Sequence, residues 1–565
     1  MTSPVTDRFE PTPAWVAQYQ PGVPATIDVP DEPLGSLLQR ATSAGGDAVA
    51  LEFFGATTSW RRLEDQVSRL ARALTDRYGV RPGDRVALLL PNSPQHVVAF
   101  YAVLRIGGVV VEHNPLYTAP ELEEMFADHG ATVAIAWDVA APKIAGTGVQ
   151  HVLAVNLLDA FPPLKRFALS LPLAKLRATR DKLHQPMPSA DAWREVLTGP
   201  RLADDHPQPR PDDLAVIQYT SGTTGRVKGA MLSHRNLFAN ALQGAAWMKD
   251  AEDGNEVIYA VLPMFHAFGM TLYLTFGVLK RARIVLFPNV DIDMILDVAK
   301  TRPPTVYCAV PPIYERTAKR AQERGISLRS ARFCISGAMA LTDEVVDVWE
   351  SVSGGLLVEG YGLTECSPVA LGNPFWPTRR TGTVGVPFPS TLMRVVDPED
   401  PSREVAPGEV GELLLHGPQV FSGYWHNPED TAATLLEGGW LRTGDLVSVD
   451  ADGFTTVVDR LKELIITGGF NVSPTEVEQA LRAEDGIADA AVVGLPSTHS
   501  GEDVVAAVVA APGVTLDPEA VRAAARDRLA AYKVPRRVFV VDELPRSMLG
   551  KVLRKQVRDQ LLTDA

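Results

Sequence analysis

Apolar positions along this chain change their period several times, and each change marks an element. They fall at helical spacing over 60–78, bunch into a short run over 85–90, return to helical spacing over 94–106 and bunch again over 108–111. Further apolar runs stand at 132–136, 150–155, 282–287, 305–308 and 332–335. Short apolar strands alternating with helices predict layered, mostly parallel α/β sheets. From about 381 to 457 the texture shifts to Gly, Pro, Val and Thr with short alternating runs (412–416, 446–449, 454–458), which predicts a small β subdomain. Beyond Lys462 the pattern reads strand, helix (474–482), strands (489–494 and 504–510), helix (517–529), strand (537–541). That tail, about 100 residues, is large enough for its own α+β domain. The expected division is an N-terminal domain over 1–458, a link at 459–462 and a C-terminal domain over 463–565.

With 565 residues the chain exceeds one hydrophobic core. Its apolar content of 46% and charged content of 22% are those of an ordinary globular protein, and the net charge of −14 argues against nucleic acid as a partner. Cys308, Cys334 and Cys366 are far apart and form no CxxC pair, so a reducing compartment without disulfides or a cysteine metal site is expected. The first residues carry no basic stretch followed by an apolar core, which gives no sign of a secretory signal. The stretch 259–279 has no formally charged side chain and is long enough to span a bilayer. Pro263, His266, Gly269 and Gly277 interrupt it, however, and a buried element lining an apolar cavity is the better expectation.

Candidate chemistry centres on Tyr219-Thr-Ser-Gly-Thr-Thr-Gly-Arg-Val-Lys-Gly229, which follows the apolar run 214–217. The pattern predicts a strand, a loop of small and hydroxylated residues, then a helix opening near Ser233. Gly222, Gly225 and Gly229 let backbone approach an anion, Thr220, Ser221, Thr223 and Thr224 offer hydroxyls, and Lys228 adds a mobile positive charge. This is the chemistry of a polyphosphate cradle, although its spacing is not that of a Walker A loop. A plain surface loop leaves the lysine unexplained. Residues 161–182 are distinctive in another way: Phe161, Leu164, Phe167, Leu169, Leu171, Leu173 and Leu176 are mixed with Lys165, Arg166, Lys175, Arg177, Arg180 and Lys182. Such a segment either lies on a membrane surface or packs its apolar side on the domain.

Four further motifs follow the loop: Glu359-Gly-Tyr-Gly-Leu-Thr-Glu365, Leu441-Arg-Thr-Gly-Asp445, Asp459-Arg-Leu-Lys-Glu-Leu-Ile-Ile-Thr-Gly-Gly-Phe-Asn471 and Pro545-Arg-Ser-Met-Leu-Gly-Lys551. Taken together, the five motifs resemble the adenylate-forming superfamily of acyl-CoA synthetases, peptide-synthetase adenylation domains and luciferases. The resemblance runs from about residue 30 to the end. It is narrowest towards bacterial long-chain fatty-acid–CoA ligases, through Val111-Glu-His-Asn-Pro-Leu-Tyr-Thr118, Pro263-Met-Phe-His266, the 359–368 motif and Gly417-Pro-Gln-Val-Phe-Ser-Gly-Tyr-Trp425.

The resemblance implies ATP-dependent activation of a carboxylate as acyl-AMP, then transfer to coenzyme A with release of AMP. It assigns β- and γ-phosphate binding to Thr220, Ser221, Gly222, Thr223, Thr224, Gly225 and Lys228. Thr364 would bond the α-phosphate and Glu365 would hold Mg²⁺. Glu359, Gly360 and Tyr361, with Ser336, Gly337 and Ala338, would enclose adenine, while Asp445 and Arg460 would hold the ribose. Lys551 would bridge carboxylate and α-phosphate, with Arg546 and Arg554 as supporting charges. Asp459 and Lys462 match the hinge of a mobile C-terminal domain, and Lys462, Gly468, Gly469 and Phe470 would line the coenzyme A path.

For the acyl pocket the expected residues are His266, as a gate or else a core histidine, with Phe268, Met270, Tyr273, Val310 and Met339, joined by Met264 and Cys308. The absence of charge in 259–279 favours a fatty acid. A medium-chain or aromatic acid ligase, or a ligase that loads a carrier protein, is the alternative. The partners expected are small molecules (fatty acid, ATP, coenzyme A), a peripheral membrane contact through 161–182 and a homodimer, in the cytoplasm or at the inner face of the membrane.

Overall fold

Strands buried on both faces account for the continuous apolar runs. The structure, a computed structural model, describes residues 13–187, 189–220, 227–467, 470–497, 501–547 and 550–563. The chain divides into two compact units. One is Met1–Thr381 with Gly385–Leu392 and His416–Leu441; the other is Gly382–Val384 with Met393–Leu415 and Arg442–Ala565.

In the first unit, two large sheets carry helices between their strands. One has a parallel centre in the spatial order Val49–Phe53, Arg283–Leu286, Val257–Ala260, Val306–Ala309, Phe333–Ser336, Leu357–Gly362. The other places His151–Val155, Val133–Trp137, Arg85–Leu89, Val109–Glu112 and Leu214–Thr220 side by side, all parallel. All four residues of Val109–Glu112 are buried, as expected of a parallel strand covered on both faces. The helix expected over 60–78 is Trp60–Asp76; the Arg62 N–H donates to the Ser59 hydroxyl at its start, and Leu63, Val67, Leu70, Ala71 and Leu74 form its buried stripe.

Two expectations are corrected here. After the phosphate loop the chain does not pass directly into a helix. Lys228–Ser233 first pairs antiparallel with Leu214–Thr220, with Lys228 opposite Thr220, and the helix His234–Trp247 begins only after Ser233 caps it. The uncharged stretch is, as expected, a buried element, and it is built from several short pieces. It completes the strand Val257–Ala260, crosses Pro263, and winds as Ala267–Gly269, a π-helix Met270–Phe276 and Gly277–Leu279. No helix among the described residues is long and apolar enough to cross a membrane. Finally, the tail carries a helix, Arg554–Thr563, that the apolar pattern did not reveal.

The second unit shows how a period of two builds a two-faced sheet. In Ile487–Ser497 and Gly501–Ala510, Ala490, Val492, Val504, Ala506 and Val508 pack with Val477, Leu481, Val521 and Ala525 of the helices Pro474–Arg482 and Pro518–Arg528. Ala491, Val493, Leu495, Val505 and Ala507 face the other way and pack with Val557 and Leu561 of the terminal helix.

Candidate active site

In the first unit, antiparallel pairing fixes both ends of the phosphate loop, and its last residue already has partners. Lys228 Nζ is 2.7 Å from the Asp430 carboxylate and 5.3 Å from the centre of the Tyr424 ring. Tyr424 in turn donates its phenolic hydrogen to Glu365 (2.6 Å), and the Phe421 N–H donates to the Glu365 carbonyl. The short turn Thr364–Cys366 is thereby held to the segment 416–441. The expected cation and the expected metal-binding carboxylate thus share one aromatic neighbour. Neither Tyr424 nor Asp430 was given a role from the sequence. They meet Glu365 and Lys228 across long separations, which no local pattern encodes. Ser221, Gly222, Thr223, Thr224 and Gly225 lie outside the described residues.

Ser336 and Glu359 pair across the neighbouring parallel strands Phe333–Ser336 and Leu357–Gly362, which brings Gly337, Ala338, Gly360 and Tyr361 to one end of the sheet. A Cβ built on Gly337 would stand 3.1 Å from the Phe268 ring and 3.4 Å from the Gly360 carbonyl, so any larger residue there would press on the Phe268 ring. Ala338 sits at φ 68°, a left-handed conformation that concentrates at functional sites. Glu359 is buried; it accepts a hydrogen bond from the Leu341 N–H (3.4 Å), and desolvation raises its carboxyl to about 8.

An apolar cavity opens beside these residues. Asn240, Gly244, Trp247 and Met248 of the helix after Ser233 form one wall, with Phe268, Thr271, Leu272 and Phe276 opposite and Glu359, Gly360 and Phe388 closing it. Its free volume is about 30 Å³, close to that of a single water, so a larger guest enters only as side chains yield. Phe268 is the one expected pocket residue on the lining. His266 receives the Phe268 N–H on Nδ1 (3.3 Å), and desolvation lowers its imidazole to about 4. Met264, Met270, Tyr273, Cys308 and Val310 are core residues, with the Tyr273 hydroxyl accepting the Leu262 N–H; Met339 is partly exposed next to Ala338. The helical wall was missed in the sequence because Asn240, Gly244 and Trp247 read simply as a helix stripe.

Within the second unit, Asp445 stands opposite Arg460 on paired strands, and the guanidinium lies 3.3 Å from the buried carboxylate. Lys551 belongs to the same group. Desolvation lowers its ammonium, Arg460 and Arg554 act in the same sense, and Glu463 and Asp445 oppose them. Arg554 is a structural tie that grips Glu478 through two bonds of 2.8 Å and also reaches Glu463; Arg546 pairs with Asp489. Asp459 is buried and accepts from the Ser473 hydroxyl, the Thr475 N–H and the Arg460 N–H. Lys462 is exposed, and Phe470 stacks on Tyr532 with ring centres 4.5 Å apart. Gly468 and Gly469 lie outside the described residues.

Comparison with known proteins decides the lineage. The model of the AMP-binding enzyme family matches residues 38–425, and that of the AMP-binding enzyme C-terminal domain matches residues 476–551. The chain belongs to the AMP-binding enzyme family. A long-chain-fatty-acid–CoA ligase of Bacillus subtilis is 37% identical over 97% of this chain and 98% of its own length. A feruloyl-CoA synthase of an Amycolatopsis species is 34% identical over 93% and 98%. Among solved structures, ATP-bound MatB from Rhodopseudomonas palustris superposes with a TM-score of 0.80 at 31% identity, covering 93% of this chain and 98% of that one. This AMP-binding enzyme is accordingly an α/β protein with a large N-terminal domain and a smaller C-terminal one.

Proposed function

We propose that the protein activates a long-chain fatty acid as acyl-AMP and transfers the acyl group to coenzyme A. The observation that carries this reading is the character of the cavity beside Gly337 and Gly360. Its walls are mainly aliphatic and aromatic, no Lys, Arg or His lines it, and its one acid, Glu359, is neutral at pH 7. Such a wall favours an alkyl chain and places no cation opposite a second carboxylate. The identity to the Bacillus subtilis ligase over nearly the full length supports the same substrate class.

Adenylation brings two anions together, so its catalysis consists of placed positive charge and alignment. Lys228 and the loop before it take the β- and γ-phosphates, Thr364 the α-phosphate, and Asp445 with Arg460 the ribose. Lys551 supplies charge to the attacking carboxylate and the α-phosphate. Glu365, held by one oxygen to Tyr424, fits a Mg²⁺ site, since this ion is bound through one or two carboxylates together with substrate phosphates. Bound there, Mg²⁺ would neutralise phosphate charge. Asp459 and Lys462 are the proposed pivot between the two half-reactions, with Lys462, Gly468, Gly469 and Phe470 along the coenzyme A path.

The test is ATP-dependent release of AMP and pyrophosphate with octanoate, palmitate, oleate and 4-coumarate, each with and without coenzyme A. Turnover that needs coenzyme A and peaks at palmitate or oleate is expected. A peak at 4-coumarate would move the protein to the aromatic acids, and acyl-AMP accumulating regardless of coenzyme A to carrier loading.

A further inference from the structure

The segment 161–183 plays no part in that site; Phe161 and Leu169 are buried, but four of its other large apolar side chains stand exposed. Its two ends are tied down. Phe161 is buried and stacks on Phe54 (4.3 Å), the Lys165 ammonium donates to the Phe54 carbonyl, and the Leu183 carbonyl accepts from the Trp137 indole (2.9 Å). Between the ends run two helices, Pro163–Ser170 and Ala174–Leu183, separated by Leu171-Pro172-Leu173. The second helix buries no residue at all.

Leu164 is 83% exposed, Phe167 66%, Leu171 38% and Leu173 58%. Four exposed large apolar side chains stand within ten residues here, and among the described residues no window of 23 residues elsewhere holds more than three, so this is a concentrated patch. Its charge is equally distinct. Lys165, Arg166, Lys175, Arg177, Arg180 and Lys182 face a single acid, Asp181, in a chain of net charge −14. Asp181 pairs with Arg180, and Lys175, Arg177 and Lys182 have no carboxylate partner among the described residues.

We infer that residues 161–183 dock the protein on an anionic bilayer, with Leu164, Phe167, Leu171 and Leu173 entering the acyl boundary and the basic residues resting on lipid phosphates. Exposed Leu and Phe beside unpaired Lys and Arg is the composition of an interfacial helix. The charge complementarity singles out an anionic surface. That the surface is a bilayer rests on the long-chain reading above, because such a substrate partitions into lipid.

The experiment is co-sedimentation of the full chain with phosphatidylcholine vesicles, with and without phosphatidylglycerol. Two variants accompany it, Leu164→Asp/Phe167→Asp/Leu173→Asp and Lys175→Glu/Arg177→Glu/Lys182→Glu. Binding only to the anionic vesicles is expected, with the affinity falling at least about tenfold in each variant. Thermal unfolding and palmitate turnover in detergent micelles should stay unchanged, which shows that the variants fold. Equal binding to both vesicle types, or binding indifferent to the apolar variant, overturns the proposal. Loss of palmitate turnover in the parent protein would instead overturn the substrate reading and leave the sedimentation result standing.

Discussion

Tyr424 donates a 2.6 Å hydrogen bond to Glu365, and the face of the same ring lies 5.3 Å from the Lys228 ammonium. One side chain therefore positions both an acid and a cation of the proposed nucleotide site. Tyr424→Phe keeps the ring under Lys228 and releases Glu365. A hydrogen bond to a charged group contributes about 1.5–3 kcal/mol, so the Mg²⁺ requirement at fixed ATP should rise about tenfold or more. The KM for the fatty acid should stay where it is. A Mg²⁺ titration indistinguishable from the parent's would show that the contact does not tune the site.

Lys551 is the cation to separate the two half-reactions. Lys551→Ala should lower acyl-AMP formation by about a hundred- to a thousandfold, the effect of removing one placed charge from a transition state. Thioester formation from supplied acyl-AMP should persist. Equal loss in both assays would refute the division of labour.

The cavity wall makes a prediction about chain length. A Cβ at Gly244 would meet only Phe276, at the ordinary distance of 3.6 Å, so a side chain can start there, and a ring beyond it exceeds the free volume and closes that wall to a long chain. Gly244→Phe should reduce kcat/KM for palmitate at least about tenfold relative to octanoate. Competition assays with mixed acids read that ratio directly.

Glu359 links the site to pH. Its carboxyl ionises near 4.5 when exposed and at about 8 in the folded protein, because burial disfavours the charge. The folded state therefore holds one more proton than the unfolded state between these values. Stability contributed at this position falls as pH rises from about 4.5 to about 8, then levels. Glu359→Gln should flatten that part of the Tm–pH curve, measured by scanning calorimetry; an unchanged slope would place the proton elsewhere.

Arg554 makes a prediction about stability alone. Its removal leaves the buried Glu478 with the Val492 N–H and only the more distant Arg482, 3.6 Å away, in place of its two-bond guanidinium partner. Breaking a buried pair in this way costs about 3 kcal/mol or more. Arg554→Met should lower the urea midpoint of the transition that reports the second unit. Retention of that midpoint would show that Glu463 and Glu478 are relieved by solvent.

Much of the fold was legible because parallel strands are apolar on both faces and so stand out against helices, as at 85–90 and 305–308. The strand Lys228–Ser233 was not. It opens on a charged residue, is too short to show a period, and runs straight into the Ser233-x-x-Asn236 cap, which dominates the local signal. The helix Arg554–Thr563 buries only Val557 and Leu561, a stripe too sparse to read. The outer face of the sheet it covers, Ala491-x-Val493-x-Leu495, was the better clue, since an apolar face on both sides of a sheet demands two covers. The role of Lys228 was legible in the chemistry of its loop, those of Glu365 and Asp445 came from resemblance, and their neighbours Asp430 and Tyr424 emerge only once the chain has folded back on itself.

The π-helix Met270–Phe276 carries Thr271, Leu272 and Phe276 on the cavity wall. A π-segment is an α-helix with one residue too many, and so is one deletion away from ordinary winding. Losing a single codon there would remove the wide turn and leave the turns on either side near their present orientation, because the extra residue is absorbed locally. Descendants of this protein can therefore alter the cavity wall at one turn in a single genetic step, while the turns on either side keep their packing.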